Sequence, residues 1–382
     1  MQNRYNFVRY KYLIFIALTA VIALPYSYSD QSQSIDWALI PFIKQDSTNP
    51  CLIPDKNSTF NCPLRNELIL WEGKDVFNPA AVVKDGKVYL LYRAEDDIGR
   101  HSGTSRIGIA ESTDGLNFVK HPEPVLYPDL DFMKKYEWEG GCEDPRIVED
   151  QNGIYYMTYT AYNGHLARLC IATSTDLFHW QKRGIIFEKV GAGKYRNLWS
   201  KSGSIICKKI GNRLVATKVK GKYWMYWGDR EIYAAISDNL IDWQPLEDED
   251  GKLRYLFSPR KRKFDSALVE AGPPAVITDK GILFIYNSKN SSRHGDRSLP
   301  AGTYAAGQVL FDADNPVKVK RRLENHFFKP ERNYEVSGQV NNVCFLEGLI
   351  FFKNKWFLYY GTADSKIAAA IHDPAKAQFF NK

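Results

Sequence analysis

The sequence predicts an all-β protein, a five-bladed β-propeller, and three observations carry that prediction. Five stretches repeat one pattern, helical periodicity is almost absent, and the chain is rich in aromatic and β-branched residues that suit strands. At 382 residues, core size is not limiting. Trp 9, Tyr 23 and Phe 21 fit either an aromatic β core or a site lined by flat rings. A pair of β-sandwiches is the alternative architecture for the same strand content.

The five repeats follow in order. "DGKVYLLYRAEDD" leads to "SRIGIAESTDGLNF", and "NGIYYMTYTAYNG" to "ARLCIATSTDLFHW". "GKYWMYWGD" precedes "EIYAAISDNLIDW", and "KGILFIYNSKN" precedes "YAAGQVLFDADNP". The last pair is "KNKWFLYYGTADS" and "KIAAAIHD". Each unit is a Gly- or Asn-bearing turn, a strand, a polar loop and a second strand ending in Asp or Ser turn chemistry. The turns recur roughly every 60–75 residues, a period too long for a small-repeat solenoid and suited to a propeller blade.

Three regions result. Residues 1–29 read as a secretory signal: Arg4, Arg9 and Lys11 precede an apolar run from Leu13 to Leu24, then Pro25 and small or polar residues. That run falls short of the roughly 20 residues a transmembrane helix needs, the alternative being an uncleaved anchor. Residues 30–70 are an N-terminal extension or a blade-closing segment, and residues 71–382 the five-bladed propeller domain. The mature chain is expected to be exported, periplasmic or secreted, with no membrane insertion after signal removal. Cys51 and Cys62 bracket "CLIPDKNSTFNC" and are candidates for a disulfide in that compartment. Cys142, Cys170, Cys207 and Cys344 lie in apolar runs and read as buried thiols.

The formal charge of +7 falls when the basic N-terminal segment is removed, and no basic stripe remains, which argues against a nucleic-acid partner. There is no CxxC, H-E-x-x-H, G-x-S-x-G or phosphate-cradling glycine loop, and the seven histidines lack ligand spacing. No metal or cofactor is expected.

Polar residues cluster where apolar strands stop: Arg93, Glu95 and Asp96; Asp144 and Arg146; Asp229; Glu270; and Asp364. Trp227, Tyr359 and Tyr360 are interleaved with them. An aspartate at a strand end is usually a turn former, and Arg146 two residues from Asp144 would serve as a structural pair. Convergence on a propeller axis changes the reading. Carboxylates and arginine bind hydroxyls, rings stack on sugar faces, and two acids can cleave a glycosidic bond, so an oligosaccharide is the expected partner.

"FNPAAVVKDGKVYLLYRAED", "GCEDPRIVED", "VEAGPPAV" and "LYYGTADSKIAAA" together resemble glycoside hydrolase family 130, the β-mannoside phosphorylases and β-mannosidases. The matches run in the family's order from about Phe77 to Ala370. The resemblance implies a five-bladed propeller and an inverting mechanism, with Asp144 of "EDPR" as general acid. The family's phosphorylases pass that proton through a sugar hydroxyl. Arg146 would favour the Asp144 carboxylate and burial the acid, a balance the sequence leaves open. Asn78, Arg93, Asp96, Arg146, Lys201, Tyr360 and Asp364 are the expected substrate contacts.

The family's phosphorylases hold phosphate with an arginine in an "E-R-P"-like strand, a histidine in a "Y-H-G"-like strand and a lysine. Here "NLWSKSGSII" keeps Lys201, "IYNSK" places Asn287 at the histidine position, and "LVATKVKGKYW" has no arginine, with Lys218 or Lys220 as substitutes. Asp229 and Glu270 add negative charge there, which disfavours a dianion and supplies a base for water. The chain therefore reads as an exported, exo-acting β-1,2-mannosidase with Glu270 as base and Asp229 in reserve. A β-mannoside phosphorylase is the first alternative. A non-catalytic sugar-binding propeller is the second. "NSKNSSRHGDRSLPAGTY", from Asn287 to Tyr304, is a polar loop expected at the pocket rim.

Overall fold

The computed structural model of the protein describes residues 35–101 and 103–377. The expected signal segment lies outside the described residues. Among those described, no helix is long and apolar enough to cross a membrane.

The strands form the five blades of a β-propeller. Blade 1 is Asp75–Lys84, Lys87–Glu95, Ser105–Ser112 and Val119–Lys120. Blade 2 is Gly141–Glu149, Tyr155–Tyr162, Ala167–Ser174 and Gln181–Ile185. In blade 3, Ser204–Ile210 pairs with a second strand split into Arg213–Ala216 and Tyr223–Trp227, followed by Ile232–Ser237 and two short outer strands. Blade 4 has a broken inner strand, Leu268–Ala271 and Ala275–Ile277, then Ile282–Lys289, Tyr304–Phe311 and Val319–Arg322. Blade 5 is Cys344–Phe352, Lys355–Thr362 and Lys366–His372, and its fourth strand, Ile43–Lys44, comes from the start of the described chain. The quoted sequence repeats are therefore the second and third strands of each blade. The innermost strands precede them.

Those inner strands carry one device in common. In blades 1, 2 and 5 the ladder slips by one residue, at Asn78, at Asp144-Pro145 and at Glu347. A bulge of this kind turns side chains out of the pleat. Asn78 (φ 49°) and Asp144 (φ 50°) take the left-handed conformation that Asn and Asp tolerate best. Pro79 and Pro145 follow them where a ladder donor is not needed. In blade 4 the inner strand breaks at Gly272-Pro273-Pro274. The "NP" and "DP" pairs thus mark where the sheets release a polar side chain from the ladder, and "GPP" marks where the blade 4 inner strand breaks.

Apolar side chains fill the space between blades, with Trp71, Tyr92, Trp227 and Trp243 essentially inaccessible to solvent. All six cysteines are free thiols. The expected Cys51–Cys62 bridge is absent; Cys51 N donates to Ile367 O at 2.9 Å, Phe60–Cys62 pairs with Glu67–Ile69, and Cys62 Sγ accepts Arg106 Nη2 at 3.7 Å.

Candidate active site

The bulges bring Asn78 and Asp144 together, with Asn78 Nδ2 donating to Asp144 Oδ1 at 2.9 Å. Arg93, from the second strand of blade 1, reaches the same oxygen with Nη1 at 3.2 Å. Its Nη2 lies 2.6 Å from Glu95 and 3.1 Å from Glu143, and its guanidinium stacks over the Phe77 ring at 4.7 Å. Lys201 Nζ approaches the other oxygen of Asp144 at 3.2 Å and Glu143 at 3.6 Å.

The two glycines before this acidic pair have steric reasons. A Cβ on Gly140 would lie 2.4 Å from the Tyr162 ring. Gly141 (φ 115°) has Ser105 O only 2.2 Å from where a Cβ would be. The segment can pass between blades 1 and 2 only without side chains there.

One irregular run between blades 2 and 3, Trp199-Ser200-Lys201-Ser202, touches each candidate catalytic carboxylate. Trp199 Nε1 donates to Asp229 Oδ2 at 2.8 Å, Lys201 pairs with Asp144, and Ser202 Oγ donates to Glu270 Oε1 at 2.6 Å. Asp229 and Glu270 are opposed across the junction of blades 3 and 4, where Ala271 N donates to Gly228 O and Val269 N to Arg230 O.

Charge balance separates the acids. Burial pushes Asp144 up, but Lys201, Arg93 and then Arg146, with the Asn78 amide, outweigh it and hold the carboxyl well below its usual range. Lys201 is held well above the usual lysine range, the pull of burial being overcome by Asp144 and Glu143. Glu270 is pushed up to about 7 by burial, with Lys201 opposing and Asp229 adding to the rise. Asp364, at the hairpin tip of blade 5 (φ 50°), is likewise raised by burial to about 7, against Arg93. Burial also raises Glu143.

Two expected contacts, Asp96 and Tyr360, are corrected. Asp96 is fully buried, with Oδ2 paired to Arg106 at 2.7 Å and Oδ1 accepting the amides of Ile98 and Thr104; it shapes a loop. Tyr360 faces the core, packed on Phe328 with its hydroxyl on Glu335 at 2.8 Å, while Tyr359 bonds Gly115 O on the other face. Arg146 is buried behind the acid: its nitrogens donate to the carbonyls of Gly272, Ala271 and Asp144. It ties the acid-bearing strand to the Glu270 strand. Trp227 is likewise a core ring, stacked on Tyr233.

Lys218 and Lys220 are exposed, Lys218 lying over the Tyr223 ring. Asn287 is buried and exchanges two hydrogen bonds with the backbone of Leu346, joining blades 4 and 5.

Four residues were missed. Glu143 and Ser202 adjoin residues already singled out, and their polar character was the available signal. Tyr304, half-buried at the end of the loop expected at the rim, has its hydroxyl raised by burial and by Glu270 and Asp364. Glu347, fully buried 3.0 Å from Arg146, sits in "FLEGL", where nothing distinguishes it from a solvent-facing strand residue. Burial raises its carboxyl strongly in spite of Arg146.

A propeller whose axis gathers carboxylates around an arginine and a lysine is of the carbohydrate-active class. The chain belongs to glycoside hydrolase family 130: the family model described as beta-1,4-mannooligosaccharide phosphorylase matches residues 44–376. It is 31% identical to a 1,2-beta-oligomannan phosphorylase of Thermoanaerobacter sp. over 88% of this chain and 99% of that one. It is 49% identical to a glycosyl hydrolase of known structure from Bacteroides ovatus, with a TM-score of 0.87 over 89% of this chain and 96% of that one. A further structure, at 49% identity, TM-score 0.88 and the same coverage, comes from work on glycoside hydrolases of the family that target beta-1,2 mannosidic linkages in Candida mannan. The protein is a mannoside-processing enzyme of this family.

Proposed function

We propose that the protein is an inverting, exo-acting hydrolase that releases mannose from β-1,2-linked manno-oligosaccharides. The observation that carries the reading is the company Arg93 and Lys201 keep: both already face Glu143 and Asp144. Beyond them stand Glu270 and Asp229. A phosphate dianion would enter beside several carboxylates with both of those cations already engaged, whereas water there meets a base. The structural relatives at 49% identity support the same reading.

In this reading Asp144 protonates the glycosidic oxygen, directly or through a sugar hydroxyl. It rests as the carboxylate, so it must take up a proton first. Sugar entry favours that uptake, because it expels water and turns the donors of Arg93 and Lys201 toward hydroxyls. Glu270 deprotonates the attacking water. Its raised value near 7 suits a general base at neutral pH, and the Ser202 hydroxyl fixes its orientation. Asp229 is the weaker candidate, half-exposed and committed through one oxygen to Trp199. Asn78 and Asp364 complete the subsite.

Phosphorolysis is the second reading, favoured by the named activity of the Thermoanaerobacter relative. Proton NMR of the fresh product on β-1,2-mannobiose tests the mechanism. α-Mannose should appear first, and Glu270→Gln should lower kcat by about 10²–10⁴ while binding persists. β-Mannose first, or an active Glu270→Gln, would contradict it.

A further inference from the structure

Of the nine tryptophans, Trp199 alone is exposed, at 47% of its surface. It is nevertheless fixed in place. Its indole N–H is bonded to Asp229, and the Tyr162 ring meets it edge-on at 6.5 Å and 70°. Tyr162 itself is seated against Gly140 of the acid-bearing segment. The ring is thus held from its polar edge and one side while much of its surface stays open to solvent, a costly arrangement for so large an apolar group.

We propose that Trp199 is the stacking platform for the sugar on the leaving-group side of the cleaved bond, with Asp229 accepting that sugar's hydroxyl. The inference rests on the β-mannoside reading above. Depth orders the pocket: Asp144 and Glu270 are buried, Asp229 is half-exposed and Trp199 opens to solvent. A chain cleaved at Asp144 with its terminal unit innermost therefore passes its next unit outward over Trp199. Asp229 Oδ1 takes no donor from the described residues, so a carboxylate oxygen is free beside the ring. An apolar face next to one hydroxyl acceptor matches the two surfaces of a pyranose. Because the ring is already immobilised, little rotamer entropy is lost when the sugar arrives. The backbone linkage through Ser200, whose hydroxyl accepts Leu169 N, keeps the platform in register with Lys201 and Ser202.

Calorimetry on the Glu270→Gln background, with mannose and with β-1,2-mannobiose, provides the test. Adding Trp199→Ala is expected to weaken mannobiose by about tenfold and leave mannose unchanged; adding Trp199→Phe is expected to stay within about threefold of the parent. Melting temperatures of all variants check that the fold is retained. Equal mannobiose affinity in the Ala variant and the parent would overturn the platform. Equal weakening of both sugars would reassign Trp199 to a structural role. A parent that binds mannose but not mannobiose would remove the β-1,2 substrate reading, and the platform with it.

Discussion

At the residue scale the site is governed by which carboxyls keep their protons. Glu270 titrates near 7 because burial disfavours its charge, and the hydrolytic role requires the charged form. The rate should therefore rise with pH through about 7, and this limb should vanish in Glu270→Gln. Ser202→Ala removes a hydrogen bond that favours the carboxylate, so the limb should move to higher pH; a pH–rate profile of kcat/KM measures it. The same shift has a stability consequence. Glu270's folded-state pKa lies above its unfolded value near 4.5, so the folded state binds the proton more tightly between those values. Its contribution declines as pH rises through that window, by on the order of 3 kcal/mol. Glu270→Gln should accordingly gain melting temperature relative to the parent between pH 5 and pH 8.

At the scale of elements, the bulged inner strand explains both what the sequence revealed and what it hid. "FNP" and "EDP" are legible because a left-handed Asn or Asp followed by Pro is a backbone signal as well as a chemical one. Glu347 occupies the same bulge in blade 5 but is followed by Gly348, and no local pattern distinguishes it. Tyr359 and Tyr360 show the reverse failure: both are adjacent to the site in sequence, yet strand alternation sends them to opposite faces and both into packing. Asp96 looked like a pocket acid because its loop partner Arg106 is ten residues away on another strand. Side-chain direction and pairing at strand ends depend on register, which composition does not fix. Gly141→Ala tests the close passage between blades 1 and 2. It should cost about 1–3 kcal/mol by denaturant unfolding and impair activity by shifting Glu143 and Asp144.

Across the whole molecule, five repeats predicted five blades, and that count was readable because every blade reuses the same turn and strand grammar. The closing strand was less legible. Ile43–Lys44 is only two residues long, and it is held by its ladder with Lys366–His372 and by Lys44, whose ammonium lies 2.7 Å from the buried carboxylate of Glu335. Lys44→Ala leaves that carboxylate short of its cation where the ring closes. Thermal unfolding should report a loss of about 3 kcal/mol or more, with little change in KM for the intact fraction. Asn287 belongs to the same scale. Expected at the position of the family's phosphate-binding histidine, it fastens blade 4 to blade 5 through its two hydrogen bonds with Leu346.

The central claim is that water, with Glu270 as its base, takes the place of phosphate. Chromatography of the products from β-1,2-mannobiose, with and without inorganic phosphate, tests it most directly. Free mannose formed at the same rate in both conditions is the predicted result. Mannose 1-phosphate formed only when phosphate is present would contradict the account and make Lys201 the residue that holds the second reactant.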